Sequence, residues 1–501
     1  MVKSFSPFCV CALGCFLGRY FFFWLEKPGY LFLAGILVLF FSFLSSWFLI
    51  LGLRDKLPEN FEQYRLVLFF FIAGLLTGVS AFYSQSRKFS LPATAMNTKA
   101  GFVFELKSDL KPYGDSFYSC DGCLAELSFS GIKQKKTGSI TALIPREIVK
   151  SPNHKYREVI ASGAVLSGTG TVFENKTGML FLKFNRIEKK EWKNSFKKFR
   201  GIIRFRLMEK IESKGNAGGL LYALLTSSKE FLPESFSQYF TKSGCAHVLA
   251  LSGMHLSIIC SLGIFLWKGL MGKKWAFLFG FAASLCFYIF AGGSPSLKRA
   301  IIMVFIAGIV KWAGIRIPLI SVLSISFVFH TWFFPEESGT VSFILSYGGL
   351  LGIILFADSI KWFLEPYIPS GIASSFSASL GAVLMTTGVS ALFFGEFYLA
   401  GVIASIPVCI LVLIFLYAGG LTLILDLFFF LPDFCFFPME FICGIIEKTA
   451  KFFSLFPSVK VDTISGVVFS FGVCLMAGFG IKLLKVHMEK RSLRLEDFDK
   501  L

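Results

Sequence analysis

The sequence predicts a polytopic α-helical membrane protein with one small all-β domain inserted after its first spans. Three observations predict it. Of 501 residues, 54% are hydrophobic and only 16% charged, whereas roughly a quarter are charged in soluble domains. Apolar runs of about 20 residues, the length that crosses a bilayer, recur along the chain. Between residues 85 and 200 those runs stop, and strand-like alternation with turn signals replaces them.

Candidate spans lie near 6–24, 29–51, 66–84, 246–267, 275–291, 300–315, 317–334, 340–357, 372–395, 397–418 and 464–482. The stretches 216–227 and 421–456 are apolar but broken by Gly, Pro or acidic residues, which suits half-helices or re-entrant segments. The first run contains 12-ALGC-15, a faint lipoprotein-type cleavage pattern in which Ala12 stands where Leu belongs. Two more spans follow closely, so the run reads as a retained anchor.

The inserted region is basic, with 21 Lys and Arg against 10 Asp and Glu over residues 85–200, a surplus of 11 positive charges. Strand candidates are 123-CLAELSFS-130, 138-GSITALIPR-146 and 179-MLFLKFNRI-187, separated by turn signals at Pro112–Gly114, Asp121–Gly122 and Asn175–Gly178. About five short strands suit a compact barrel such as an OB-fold, although alternation alone fits a sandwich equally. The triplet 168-GTG-170 lacks a full nucleotide-loop pattern and reads as a bulge or barrel corner. Of the twelve Cys, most sit in apolar runs as small core residues. Cys120 and Cys123 lie in a polar stretch, where one CxxC points to a local disulfide or two free thiols rather than zinc.

Next comes 194-NSFKKFRGIIRFRLMEKIESK-214. Phe199, Ile202, Ile203, Leu207 and Ile211 recur at helical spacing, with Lys197, Lys198, Arg200, Arg204 and Lys210 elsewhere on the wheel. A basic amphipathic helix of this kind lies in a membrane interface. The expected divisions are N-terminal spans 1–88, β domain 89–193, interfacial helix 194–218, membrane domain 219–485 and a basic-to-acidic tail 486–501. Loop charge sets the topology: Lys268–Lys274 is basic and 335-PEES-338 acidic. Positive loops stay cytoplasmic, so the β domain is expected outside and the C-terminus inside.

The stretch 244-GCAHVLALSGMHLSIICSLG-263 carries His247, Ser252 and His255 within one apolar run. On a continuous helix Ser252 and His255 lie about 60° apart and His247 about 80° from His255, on one polar side. Ionisable groups at membrane depth face a cavity or a partner. Two His without further ligands make a poor zinc site. A hydrolase pairing Ser252 with His255 lacks a nucleophile elbow and an orienting acid. A polar lining needs no further residues. In 291-AGGSPSLKRAIIM-303 a Gly-Gly and Pro295 break the chain, and Ser294, Ser296, Lys298 and Arg299 follow. Such breaks survive only under protein or beside a wet cavity, and the two cations could form a ring that attracts a polyanion. The candidate lining is therefore His247, Ser252, Gly253, His255, Ser294, Ser296, Lys298 and Arg299. Glu396 falls at a turn, where a solvated acid is expected.

On these residues the chain resembles the bacterial competence DNA-uptake channel family (ComEC type). The run 217-AGGLLYALL-225 with 244-GCAHVLALSGMHLSII-259 is similar to its Gly-x-x-His-Leu-x-Ala-x-Ser-Gly-x-His signature, and 293-GSPSLKRAIIM-303 to its Ser-x-x-Arg-Ala element. The stretches 342-SFILSYGGLLGIILF-356 and 380-LGAVLMTTGVSALFFGEFYLAG-401 are similar to later spans. The resemblance implies passage of single-stranded DNA through the inner membrane during natural transformation. His247, Ser252, Gly253, His255, Ser296, Arg299 and Ala300 would shape the channel, with no catalytic residue, metal or cofactor. Many relatives end in a metallo-β-lactamase-like nuclease domain. The five His here include no HxHxDH, so the chain resembles the form without it. A separate nuclease, DNA receptor and cytoplasmic motor or helicase are then expected partners, beside membrane lipid. Another departure is 226-TSSK-229, where many relatives carry Gly and a charged residue.

Apart from the resemblance, Lys133, Lys135, Lys136, Lys183, Arg186, Lys189 and Lys190 in the β domain suit phosphate binding. Phe181, Phe184 and Trp192 interleave with the later ones and could stack bases. Two rival functions stand beside the channel: an intramembrane serine hydrolase using Ser252 with His255, and a transporter of a smaller anionic or lipid-linked substrate.

Overall fold

Alternation builds the strands. β1 (Lys99–Leu106) buries Ala100, Phe102, Phe104 and Leu106, every second residue, as a one-sided strand must. The others are β2 (Lys111–Tyr113), β3 (Phe117–Phe129), β4 (Ile132–Pro145), β5 (Ala164–Glu174) and β6 (Leu180–Trp192). β1 pairs antiparallel with both β3 and β5. β3 continues to β4 and β5 to β6, while β4 and β6 pair in parallel. Neighbours therefore run β1-β5-β6-β4-β3 and back to β1, with β2 beside β3. The apolar centre holds Phe102, Phe104, Leu124, Leu166 and Phe184. Phe102 and Phe184 meet edge-on at 4.5 Å between ring centres.

This computed structural model describes residues 7–25, 71, 74–79, 98–107, 110–114, 116–129, 132–145, 147, 160–174, 180–212, 214–226, 229, 231–250, 253–292, 294–315, 317–429, 436–461 and 463–498. Expected span 29–51 and much of 66–84 lie outside them.

Several expectations for the strand region change. Two strands run to 13 residues and one to 14, longer than the short strands expected. A register shift between Leu124 and Glu126 moves the inward face from the even residues to Leu127, breaking the simple alternation of 123–130. Gly168 and Gly170 sit at register shifts between β5 and β6, as a bulge requires. No disulfide joins Cys120 to Cys123. Cys120 is in the core and Cys123 is three residues on, so they leave opposite faces of β3. Phe184 is fully buried, which removes it as a base-stacking residue.

The helices are α1 (Pro7–Leu25), α2 (Ser195–Glu212), α3 (Gly215–Thr226), α4 (Glu234–Lys242), α5 (Ala246–Leu249), α6 (Gly253–Ala291), α7 (Pro295–Trp312), α8 (Leu319–Phe333) and α9 (Pro335–Ser338). Then follow α10 (Val341–Gly352), a π-helical turn (Ile353–Ala357), α11 (Asp358–Leu364) and α12 (Ser370–Phe394). α13 (Gly401–Phe429), α14 (Phe437–Phe453) and α15 (Ile464–Phe498) complete those of the described residues. Strands β7 (Glu396–Phe397) and β8 (Val459–Lys460) clasp the turn before α13 to the turn before α15.

Among the described residues, four stretches are long and apolar enough to cross a membrane: Val341–Leu364, Ser370–Phe394, Gly401–Leu423 and Ile464–Met488. Shorter apolar helices are Cys9–Arg19, Gly253–Gly269, Trp275–Ala291 and Leu319–Phe333. α6 is two helical arms that meet at Gly272, whose φ of 77° only glycine adopts readily. The arms close on each other at Gly263 and Gly280, where a Cβ on Gly263 would fall 2.8 Å from the Gly280 Cα. α1 makes a similar close crossing. A Cβ on Gly78 would lie 2.1 Å from the Cys15 carbonyl oxygen, and one on Gly14 2.2 Å from that of Phe71. Such glycine pairs at four-residue spacing let helix backbones touch.

α2 departs from a simple interfacial helix. Arg204 is buried, and its Nη1 donates to the Ala291 carbonyl at 2.9 Å at the end of α6. Lys210 pairs with Asp426 of α13 at 2.6 Å, and Ile211 joins the core of α3, α4, α13 and α14. Phe196, Phe199 and Ile203 stay exposed. The amphipathic wheel thus has its cations partly inward, because helix-end carbonyls and a buried acid need them there.

Candidate functional site

The run expected as one helix over 246–267 is broken. α5 ends at Leu249, Ala250 is extended with ψ 140°, and α6 starts at Gly253. His247 and His255 therefore belong to different helices, and the helical-wheel argument joining them fails. Upstream of α5 the chain packs closely on α13, where a Cβ on Gly244 would lie 2.7 Å from the Gly401 Cα. Ser252 lies outside the described residues. His247 is exposed, with Nδ1 3.3 Å from the Gly244 carbonyl, and His255 is buried.

The two motifs nevertheless meet. A Cβ on Gly253 would stand 3.4 Å from the Ala300 Cβ and 3.5 Å from Arg299 Nη2. Ser294 caps α7, its Oγ accepting from the Leu297 N–H at 3.3 Å with Pro295 at the first helical position. Ser296 is half-buried on the same turn. Lys298 and Arg299 follow, and both point into a polar cluster rather than forming an open basic ring.

That cluster joins α7, α8, α9 and α10. Lys298 Nζ donates to Glu337 Oε1 and lies 4.3 Å from the centre of the Phe334 ring. Glu337 Oε2 faces His330 Nε2 at 3.2 Å, and a carboxylate accepts, so that nitrogen carries the proton. His330 Nδ1 lies 3.3 Å from the Tyr347 hydroxyl, which donates to the Ser326 carbonyl at 3.0 Å. Arg299 Nη1 donates to the Ser346 carbonyl, and its guanidinium carbon lies 5.9 Å from the Tyr347 ring centre. Arg19 of α1 reaches the same corner, its Nε donating to Ser338 Oγ at 2.7 Å. Burial pushes the Glu337 carboxyl up, but hydrogen bonds from His330 and Lys298 outweigh it and hold it below its ordinary value.

Glu337, His330, Tyr347 and Arg19 were not singled out by sequence. Their only signal was polarity inside or beside apolar runs: Arg19 within 6–24, His330 within 317–334, and Glu337 in the acidic loop. Among the described residues, no group of three or more His, Cys, Asp or Glu could hold a metal ion.

In the strand region Lys183, Arg186 and Lys189 are exposed along β6, and Lys189 pairs with Glu191. Lys190 is half-buried, its Nζ 5.5 Å from the Trp192 ring centre. Lys133, Lys135 and Lys136 lie on β4, with Lys133 opposite Ser128 and Lys135 opposite Glu126. Phe173 and Phe181 stack at 5.7 Å, and exposed Tyr113 lies 6.5 Å from Phe181. Glu396 is not simply solvated. Tyr398 donates to its Oε1 at 2.5 Å and Ser458 to its Oε2 at 2.8 Å across the β7–β8 clasp.

Comparison with known proteins follows this geometry. Residues 224–488, more than half of the chain, match the family described as competence protein. An uncharacterized protein of Aquifex aeolicus (strain VF5) is 27% identical over 261 residues, 51% of this chain and 59% of that relative. No solved structure matches. The matched region holds α4 to α14, the polar cluster of α7 to α10 and, among the described residues, all four long apolar stretches in full, Ile464–Met488 of α15 included. The chain is a multi-pass membrane protein and belongs to the competence protein family, whose members serve DNA uptake.

Proposed function

We propose that the chain carries single-stranded DNA through the inner membrane into the cytoplasm during natural transformation, and that its strand region binds the incoming DNA on the extracytoplasmic side. One observation carries the second half: an exposed row of Lys183, Arg186 and Lys189 along β6, with Phe173, Phe181 and Tyr113 clustered in the same sheet. Cations that follow a backbone, beside rings that stack bases, are what unspecific single-strand binding needs. We read the strand region as an OB-fold barrel. The support is its connectivity, a ring of five strands with β4–β6 as its one parallel pair.

The divisions proposed are spans over 1–88, the β domain over 89–193, the interfacial helix over 194–218, the channel domain over 219–485 and the tail over 486–501. The lining proposed is His247, Ser252, Gly253, His255, Ser294, Ser296, Lys298 and Arg299. Its strongest support is the approach of Gly253 to Arg299. A nuclease, a receptor and a motor or helicase would be separate chains.

The test is fluorescence anisotropy of the full chain in nanodiscs with labelled oligothymidylate over a salt series. Affinity should fall steeply with salt, by a log–log slope of about 0.7 per phosphate neutralised. The triple charge reversal of Lys183, Arg186 and Lys189 to Glu should weaken binding by at least about tenfold and flatten that slope. Unchanged affinity would remove the strand region's role and favour a smaller anionic or lipid-linked substrate. The hydrolase reading predicts instead that Ser252→Ala abolishes function outright.

A further inference from the structure

The cluster at the start of α7 holds its two cations in unequal states. Lys298 is capped: its ammonium is bound by the Glu337 carboxylate and covered by the Phe334 ring. Arg299 is only partly satisfied. Its Nη1 donates to the Ser346 carbonyl, while Nε is buried with no hydrogen-bond partner among the described residues. Ser346 Oγ beside it is likewise buried and unpaired there. A guanidinium N–H kept from water and left unmade is costly, and a phosphate oxygen is the acceptor such a fork fits best.

The carboxylate sits on a short element. α9 is four residues long, and its leading residue, Phe334, has non-helical φ −132° and ψ 61°. Glu337 is partly exposed, at 24%, while its partner Lys298 is 13% exposed. The pair spans 39 residues of sequence, joining two elements that no helix backbone connects. Glu337 offers Lys298 a pair of anionic oxygens, and a phosphodiester offers the same.

We propose that Glu337 is a latch: it stands in for a DNA phosphate on Lys298 in the resting channel, and an incoming phosphodiester displaces the carboxylate and takes both Lys298 and the unpaired Arg299 Nε. This rests on the proposed DNA channel. No bond is made or broken; one anion replaces another. The latch keeps the two cations from trapping small anions, and opens to a polyanion that delivers several phosphates together.

The test uses the full chain in nanodiscs and labelled oligothymidylate, with the β6 triple reversal as background so that the strand region does not mask the site. Glu337→Gln keeps the side chain's size and one accepting oxygen but removes the competing charge. It should tighten DNA binding by about fivefold or more. In a Lys298→Gln background the same change should have no effect. Glu337→Asp retains the charge on a shorter arm and should give a smaller gain, so the proposal stands or falls even if one variant is poorly folded. Equal or weaker binding by both Glu337 variants in folded protein, or a gain that survives Lys298→Gln, overturns the latch and leaves the channel standing. Absence of DNA binding by the wild-type chain overturns the channel reading, and the latch with it.

Discussion

The strand region and the helical region are built inside out relative to each other. Around β1–β6 the rings lie within and the charges without: Phe104 and Phe184 are fully buried, while Lys183, Arg186 and Lys189 are exposed. In the helices Phe265, Trp312 and Phe469 are exposed, and Ser326, His330 and Thr331 have no exposure at all. The difference teaches what surrounds each part. Water solvates lysines and excludes rings, whereas lipid tails accept rings and leave every polar group to find a partner within the protein. Function is therefore to be sought on the surface of one region and in the interior of the other.

The largest test of that contrast is in the strand core. Phe184→Ala removes a ring packed against Phe102 and Phe104. It should destabilise the strand region by about 3–5 kcal/mol, read as lost hydrogen-exchange protection of β1, β5 and β6 in the full chain. The helical stretches, with their separate cores, should keep their protection. If both regions lost it together, they would be one folding unit and the contrast would be superficial.

A smaller effect is expected inside the helices, from a polar atom. Tyr347→Phe keeps the ring among Phe327, Phe343 and His330 but deletes the hydroxyl that meets Ser326 and His330. Polar contacts between membrane helices are worth about 0.6–1.7 kcal/mol, so a loss near 1 kcal/mol should appear in denaturant titration of the detergent-solubilised chain. A stabilising change would mean this interior is no different from the strand core.

The same contrast explains what the sequence could and could not show. Strand and span positions are local patterns, so the β region and the long apolar helices were legible from alternation and run length. The break at Ala250 was not, because no Pro stands there and the apolar run continues through it. Arg204 was misplaced on the wheel because its partners are backbone carbonyls of α6, which have no signature in a side-chain pattern. Lys298 was legible as a cation at the start of a span, but its partner Glu337 was read only as part of an acidic loop. Motif residues Gly253 and Arg299 were found separately; only the fold brings them together.

The smallest expected effect lies at the β7–β8 clasp. The Tyr398 hydroxyl, and then Ser458, hold the Glu396 carboxyl below its ordinary value. A carboxylate whose pKa is lower folded than unfolded binds fewer protons in the native state above that value. Its stabilisation is fully present above the unfolded pKa of about 4.3 and fades as pH falls through the folded one. Glu396 is only half-buried, so solvent screening keeps the contribution small. Thermal unfolding followed between pH 6 and the acid limit should show a midpoint that falls slightly less steeply for Glu396→Gln than for the wild type. An unchanged slope would mean that the clasp is held by β7–β8 pairing and that its carboxylate behaves as any surface acid in water.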